Sequence, residues 1–232
     1  NALDAINAFA LYVTDEAELE GVPADALAMY REAAAAESKP GFKLTLQYPS
    51  YLPLMQYARN RNLREQMYRA WVTRNSELAQ PQWDNSALMV ETLQLRREQA
   101  RLLDLPDYAA LSLQRKMADS SATVLTFLRD LATRARPHAE QDLTQLREFA
   151  ARELQLPTLE AWDLMYASER LREQRYAYSE NELTQYFTLP AVLKGLFHVI
   201  ETLFNVRIQP DSAPVWHPDV SFYRVQTQTG EL

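Results

Sequence analysis

Few side chains in this sequence are suited to chemistry. It holds three His (His138, His198 and His217), no Cys, and 31 Asp and Glu. A one-helix zinc site of the peptidase kind needs two His four residues apart, so that both imidazoles reach one ion, with a Glu between them to activate water. Here Ala, Val and Pro follow the three His, and the nearest two, His198 and His217, stand 19 residues apart, so no HExxH occurs. With so many acids, some carboxylate falls near a His by chance, and a scattered metal site gains no support from that. His198 lies among Leu196, Phe197, Val199 and Ile200 and reads as a packed or surface helix residue. His217, in the turn Trp216-His217-Pro218, is the better placed for a functional role. The absence of Cys removes disulfides, thiol nucleophiles and thiolate metal sites, and fits a reducing compartment.

Other constellations are equally sparse. The four Gly, at 21, 41, 195 and 230, are each at least 20 residues from the next, so neither a phosphate-cradling loop nor a Gly-flanked nucleophile elbow exists. Glu169 and Glu173 form a carboxylate pair, but Arg170, Arg172 and Arg175 are interleaved with them, as on a solvated helix face. Arg96, Arg97, Arg101, Arg134 and Arg136 offer a local basic patch, yet the net charge of −7 repels phosphate backbones, and no nucleic-acid partner is expected. Twelve Tyr, clustered at 48, 51 and 57 and again at 166, 176, 178 and 186, suit a core rim, a peptide groove or a domain interface.

The elements that must position these residues are mainly helical. With 47% hydrophobic and 24% charged residues the composition is that of a globular protein, and apolar residues recur at three- and four-residue spacing. The pattern predicts helices over 3–19, from Pro23 to Glu37, from Ser50 to Arg59, from Asn62 to Leu78, from an Asp84 or Asn85 cap to Leu102, over 107–117, over 159–176 and over 189–204. The longest pattern, Ser121 to Leu154, contains Pro137, which predicts a kink or two abutting helices. Phe42–Gln47 alternates as a strand, and Ser179-Glu180-Asn181-Glu182 reads as a capping box. Beyond Val206 the pattern turns to β. Val220–Gln226 reads as a strand, residues 228–231 as a turn, and the partner strand is expected past residue 232. No repeat period recurs, which disfavours a tetratricopeptide-type array. No apolar stretch approaches membrane-spanning length and no leader is visible, so no membrane partner and a cytoplasmic location are expected.

Several blocks then carry a resemblance. Leu44-Thr45-Leu46 with Tyr48-Pro49-Ser50-Tyr51-Leu52-Pro53, Leu63 to Ala70, Trp83-Asp84-Asn85-Ser86, Lys116-Met117-Ala118, Arg134-Ala135-Arg136-Pro137, Ala161-Trp162-Asp163 and Val215 to Val220 occur in one order along the chain. Together they resemble the zinc oligopeptidases of the thimet oligopeptidase and oligopeptidase A family, its bacterial members above all. A departure is Ala167, where that family commonly has a second Tyr after the one matching Tyr166. The resemblance implies a two-lobed, mainly helical metallopeptidase that hydrolyses oligopeptides in a deep channel, using one zinc in the parent enzyme. It implies that this chain is a middle fragment: 1–40 a helical segment of the N-terminal lobe, 41–205 a helical body forming lobe and channel wall, and 206–232 the start of a small sheet. The fragment would bind no zinc, contain no catalytic residue, be inactive alone, and tend to self-associate through exposed former-interface surface. Trp162, Tyr166 and His217 are the candidate substrate-channel residues. The rival reading is a non-catalytic helical binding module derived from the same family.

Overall fold

The computed structural model describes residues 2–177, 183, 186–227 and 229–230, the side chain of Ala2 excepted. The expected capping box at 179–182 lies outside the described residues, as do Gln228 and Glu231 of the expected turn. The chain divides into two compact units, residues 1–176 and 177–232. It is mainly α, with small antiparallel sheets, as the sequence predicts.

The first unit begins with helix α1 (Ala2–Ala8), strand β1 (Leu11–Val13), a 3-10 turn (Glu16–Leu19), α2 (Ala24–Ala35) and β2 (Phe42–Leu44). The single helix expected over 3–19 is not formed. Leu11, Tyr12 and Val13 pair antiparallel with Leu44, Lys43 and Phe42, and this long-range ladder overrides the local helical pattern. Asp15 then caps the 3-10 turn, its carboxylate accepting from the Ala17 amide at 2.9 Å. Next come α3 (Tyr48–Tyr57) and α4 (Arg61–Thr73). Ser50, where the sequence pattern starts this helix, lies inside α3, and its hydroxyl accepts from the Thr45 amide at 3.0 Å. Asn60 caps α4 through its side-chain oxygen on the Leu63 amide, 3.2 Å away. Val13, Leu19, Tyr30, Leu44, Leu46, Leu54, Met55, Leu63 and Met67 form the principal core between these elements. Glu65 and Arg69, four residues apart on the exposed side of α4, form an ion pair at 2.8 Å, an interaction worth no more than about 0.5 kcal/mol.

The remainder of the unit is α5 (Ser86–Leu102), α6 (Tyr108–Leu113), α7 (Ser121–Glu153), a 3-10 turn (Ala161–Asp163) and α8 (Leu164–Tyr176). Helix α7 runs as one element through Pro137, about 50 Å at 1.5 Å per residue, so abutting helices are not formed. Residues 131–140 are exposed throughout, so the carbonyl that loses its amide partner to the proline can be solvated. The C-terminal half of α7 packs on α8 through Leu146, Ala150 and Ala167. Ala150 and Ala167 are fully buried, which explains the small residue at 167: a Tyr side chain there would enter the α7–α8 interface.

The second unit comprises α9 (Leu189–Phe204), β3 (Val206–Asp211) and β4 (Phe222–Thr227). The bounds of α9 match the expectation, and Asn205 ends it in the left-handed conformation at φ 53°. Strand β4 has a partner inside the chain that the sequence reading does not assign to it: Val206 to Asp211 pair antiparallel with Thr227 to Phe222 along one of its edges. Phe197 meets Tyr223 edge-on at 4.7 Å and Glu201 accepts from the Ile208 amide at 2.7 Å, binding α9 to this hairpin.

Candidate functional site

The densest polar constellation lies in the first unit, where α3 ends, α4 begins and the chain returns before α8. Arg61 and Arg64 are three residues apart, so both project from one side of the first turn of α4. Asp163 closes the 3-10 turn at 161–163, its Oδ2 accepting from the Glu160 amide at 3.1 Å. The Arg64 Nη2 donates to Asp163 Oδ1 at 2.8 Å, and Arg61 donates from Nε to both carboxylate oxygens at 3.1 Å and from Nη2 to Oδ2 at 2.7 Å. Arg64 also donates to the carbonyls of Ala58 (2.7 Å), Arg59 (3.2 Å) and Trp162 (3.4 Å), and so caps the end of α3. Arg64 is 1% exposed and Asp163 0%, whereas the side chain of Arg61 is 38% exposed. Burial pushes the Asp163 carboxyl up, but the hydrogen bonds from Arg61, Arg64 and the Glu160 amide outweigh it and hold the group below its ordinary value.

A second buried acid stands one helical turn and more along α8. Glu169, 3% exposed, accepts from the Tyr57 hydroxyl at 3.0 Å and pairs with Arg172 at 2.6 Å. The sequence reads Glu169 as part of a solvated face, and the structure corrects this: the alternation of acid and Arg along α8 carries no information about which side Tyr57 occupies. Both acids brace the helices around them. Asp163 accepts from four N–H groups, that of Arg61 Nε being shared between its two oxygens, which leaves it no free lone pair to take a proton or hold a metal.

Two of the three residues chosen from the sequence flank this cluster. Trp162 packs on the principal core, with its ring 6.2 Å from that of Tyr68 and the Arg69 guanidinium 5.0 Å above it. The half-buried Tyr166 lies under the guanidinium of Arg64 at 4.3 Å. Arg64 therefore joins Trp162 and Tyr166, the first through its backbone carbonyl and the second through its ring. His217 belongs to the second unit, in an exposed turn where its Nδ1 accepts from the Asp219 amide at 3.3 Å and its side chain is 62% exposed. His138 and His198 are exposed on α7 and α9. Among the described residues no three His, Asp or Glu converge as a metal site. The sequence singles out none of Arg61, Arg64 and Asp163 for a role of its own. Nothing in the spacing of Arg61 and Arg64 announces a partner some hundred positions away, although an Arg pair in a first helical turn, against the helix dipole, is a signal that an acid must come from elsewhere.

These features define a helical scaffold locked by buried arginine–carboxylate braces. Residues 54–232 match peptidase family M3, and the chain belongs to that family. It is 44% identical over its whole length to oligopeptidase A of Escherichia coli, of which it covers 35%, and 40% identical to oligopeptidase A of Haemophilus influenzae, of which it covers 34%. Over 99% of its length it is 41% identical to the organellar oligopeptidase A of Arabidopsis thaliana, covering 30% of that protein. The chain thus spans about a third of the length of the curated relatives it matches. The family read from the ordered sequence blocks is the family found. No helix among the described residues is long and apolar enough to cross a membrane.

Proposed function

We propose that these residues are part of a zinc-dependent oligopeptidase acting on short peptides in the cytoplasm, and that they supply its helical lobe and channel wall. The observation that carries this reading is the 44% identity to oligopeptidase A, sustained over the whole chain. Zinc, when bound, would lower the pKa of its water and polarise the scissile carbonyl. The described residues do not fit that ion, because no three candidate ligands converge and Asp163 is saturated by its own partners. No step is therefore assigned to them. Their part is to hold a rigid wall, with 1–40 in the N-terminal lobe, 41–205 in lobe and wall and 206–232 opening a sheet. In this reading His217 and the half-buried rings of Trp162 and Tyr166 contact peptide, supported by their incomplete burial.

The purified 232-residue chain, given zinc and internally quenched peptides, should show no hydrolysis above the blank, whereas the product of the uninterrupted reading frame should cleave them and lose activity to a chelator. Chelator-sensitive cleavage by the 232-residue chain would show that its own residues suffice. Zinc-independent activity of the longer product would defeat the zinc assignment. The isolated chain should also self-associate, because Leu88, Leu93 and Leu95 of α5 and Phe127 and Leu131 of α7 are all at least half exposed or nearly so, from 49% to 67%. Sedimentation velocity over a tenfold concentration range should show rising average mass, and a single monomeric species throughout would contradict this.

A further inference from the structure

We propose that a cavity in the first unit binds a small apolar carboxylate, with Arg74 as the anion-binding group. The cavity has a volume of about 210 Å³ and is lined by Ala5 and Ala8 of α1, Phe9, Ala70 of α4, Trp83 and Arg74, among others. Four of the lining residues, Ala79 included, are alanines, whose short side chains leave the hollow, while Phe9 and Trp83 give it apolar walls. Arg74 is the cation of the lining. Its guanidinium lies 4.1 Å over the Trp71 ring and donates from Nη1 to the Trp71 carbonyl. Trp71 in turn stacks on Tyr51 at 4.8 Å, so the guanidinium rests on a fixed aromatic platform.

One observation separates Arg74 from the braces described above: no acid among the described residues forms an ion pair with it, in contrast to Arg61, Arg64 and Arg172. Its Nε is also buried without an acceptor. A buried, charged N–H without a partner is costly, and an entering acceptor recovers that cost. The guanidinium fork matches a carboxylate. The volume lies below the roughly 300–1,000 Å³ of drug-sized pockets, so the occupant is small. One cation among alanine and aromatic walls, with Thr73 and Gln80 as the uncharged polar lining, in a chain of net charge −7, favours a monoanion over a phosphate dianion. The fitting chemistry is a carboxylate on a short branched or linear apolar body, offered either by a free acid or by the C-terminal residue of a peptide. This inference rests on the cavity and stands apart from the peptidase reading.

The test titrates N-acetyl-leucine, N-acetyl-leucinamide, and a Leu-terminated tetrapeptide in acid and amide forms into the 232-residue chain, read by tryptophan fluorescence and calorimetry. Trp71 and Trp83 are the reporters beside the site. The free-acid forms should bind saturably and the amides at least tenfold more weakly. Arg74→Met should weaken acid binding at least tenfold, and Ala70→Leu, which fills the hollow, should abolish it. If Arg74→Met fails to fold, Arg74→Gln and Ala70→Leu give the same readout. Binding by N-acetyl-leucine alone indicates a small-acid source, and binding by the tetrapeptide acid as well indicates peptide C-termini; both support the site. Equal affinity for acids and amides, unchanged binding in Arg74→Met or Ala70→Leu, or no saturable binding of either acid overturns it.

Discussion

Asp163→Asn is expected to cost the first unit about 3–5 kcal/mol, the range found when one partner of a buried ion pair is removed. At this size that lowers the melting midpoint by roughly 10 °C. The substitution keeps shape and volume but removes the charge that neutralises Arg64, which at 1% exposure has no access to water. Arg61, 38% exposed, can turn outward, so its loss of a partner adds little. The cost should therefore depend on Arg64. Combining Arg64→Met with Asp163→Leu should give a protein more stable than either single variant, because the buried charge is removed together with its counter-charge. Thermal melts of the three variants decide this. If Asp163→Asn melts within 2 °C or so of the parent, the brace does not hold α3, α4 and the 161–163 turn together.

The same group sets an acid limb. The folded-state carboxyl of Asp163 lies below its unfolded value of about 3.9, so the unfolded chain takes up the proton more readily. Its stabilising contribution is then complete above that value and is lost as pH falls through the folded-state value. Denaturant melts below about pH 4 should show a shallower loss of stability with acidification in Asp163→Asn than in the parent. Parallel slopes would mean that other carboxylates govern acid unfolding.

Gly41→Ala is the second large effect, expected at about 2–4 kcal/mol from two additive causes. Gly41 has φ +82°, a region L side chains rarely adopt, and a Cβ there would meet the Val13 carbonyl oxygen and come within 2.9 Å of the Thr14 Cα. Both are backbone atoms of β1 and the residue after it, so relief requires moving the strand away from β2 and opening the core behind Phe42 and Leu44. Gly195 supplies the control. It sits in α9, and a Cβ added to it would have nothing within 4 Å, so Gly195→Ala should stabilise the second unit by about 0.5–1 kcal/mol through helix propensity alone. Guanidinium melts of the two variants should move in opposite directions. Equal, small shifts would show that the β1–β2 approach tolerates a side chain.

How far these sites are legible depends on the range of the interaction that makes them. The α9 boundaries can be read from the local pattern because Thr188 and Pro190 open the helix, Asn205 closes it, and the apolar repeat between them needs no outside partner to be recognised. Helix α7 is legible for the same reason, and the proline within it is the misleading letter: an exposed helix tolerates locally what a buried one would not. The segment 3–19 misleads because Leu11 to Val13 are held by residues 42–44, which no window of local periodicity includes. Strand β4 is recognisable but its partner is not, since pairing register follows from how β3 returns after α9. Trp162 and Tyr166 are singled out by the family resemblance as candidate channel residues, whereas Asp163 between them, fully buried against Arg64, carries no local sign of its burial.

By itself, then, the sequence determined the class of this protein, its family and most of its helices, because composition, caps, apolar spacing and ordered motif blocks are properties of neighbouring residues. The tertiary structure alone decided that Asp163 and Glu169 are buried braces, that Arg74 lines a hollow with no ion-pair partner among the described residues, and that residues 11–13 form a strand. Each of these depends on bringing together groups far apart in the chain, and the free energy of such a contact resides in burial and hydrogen-bond geometry that no single stretch of letters contains.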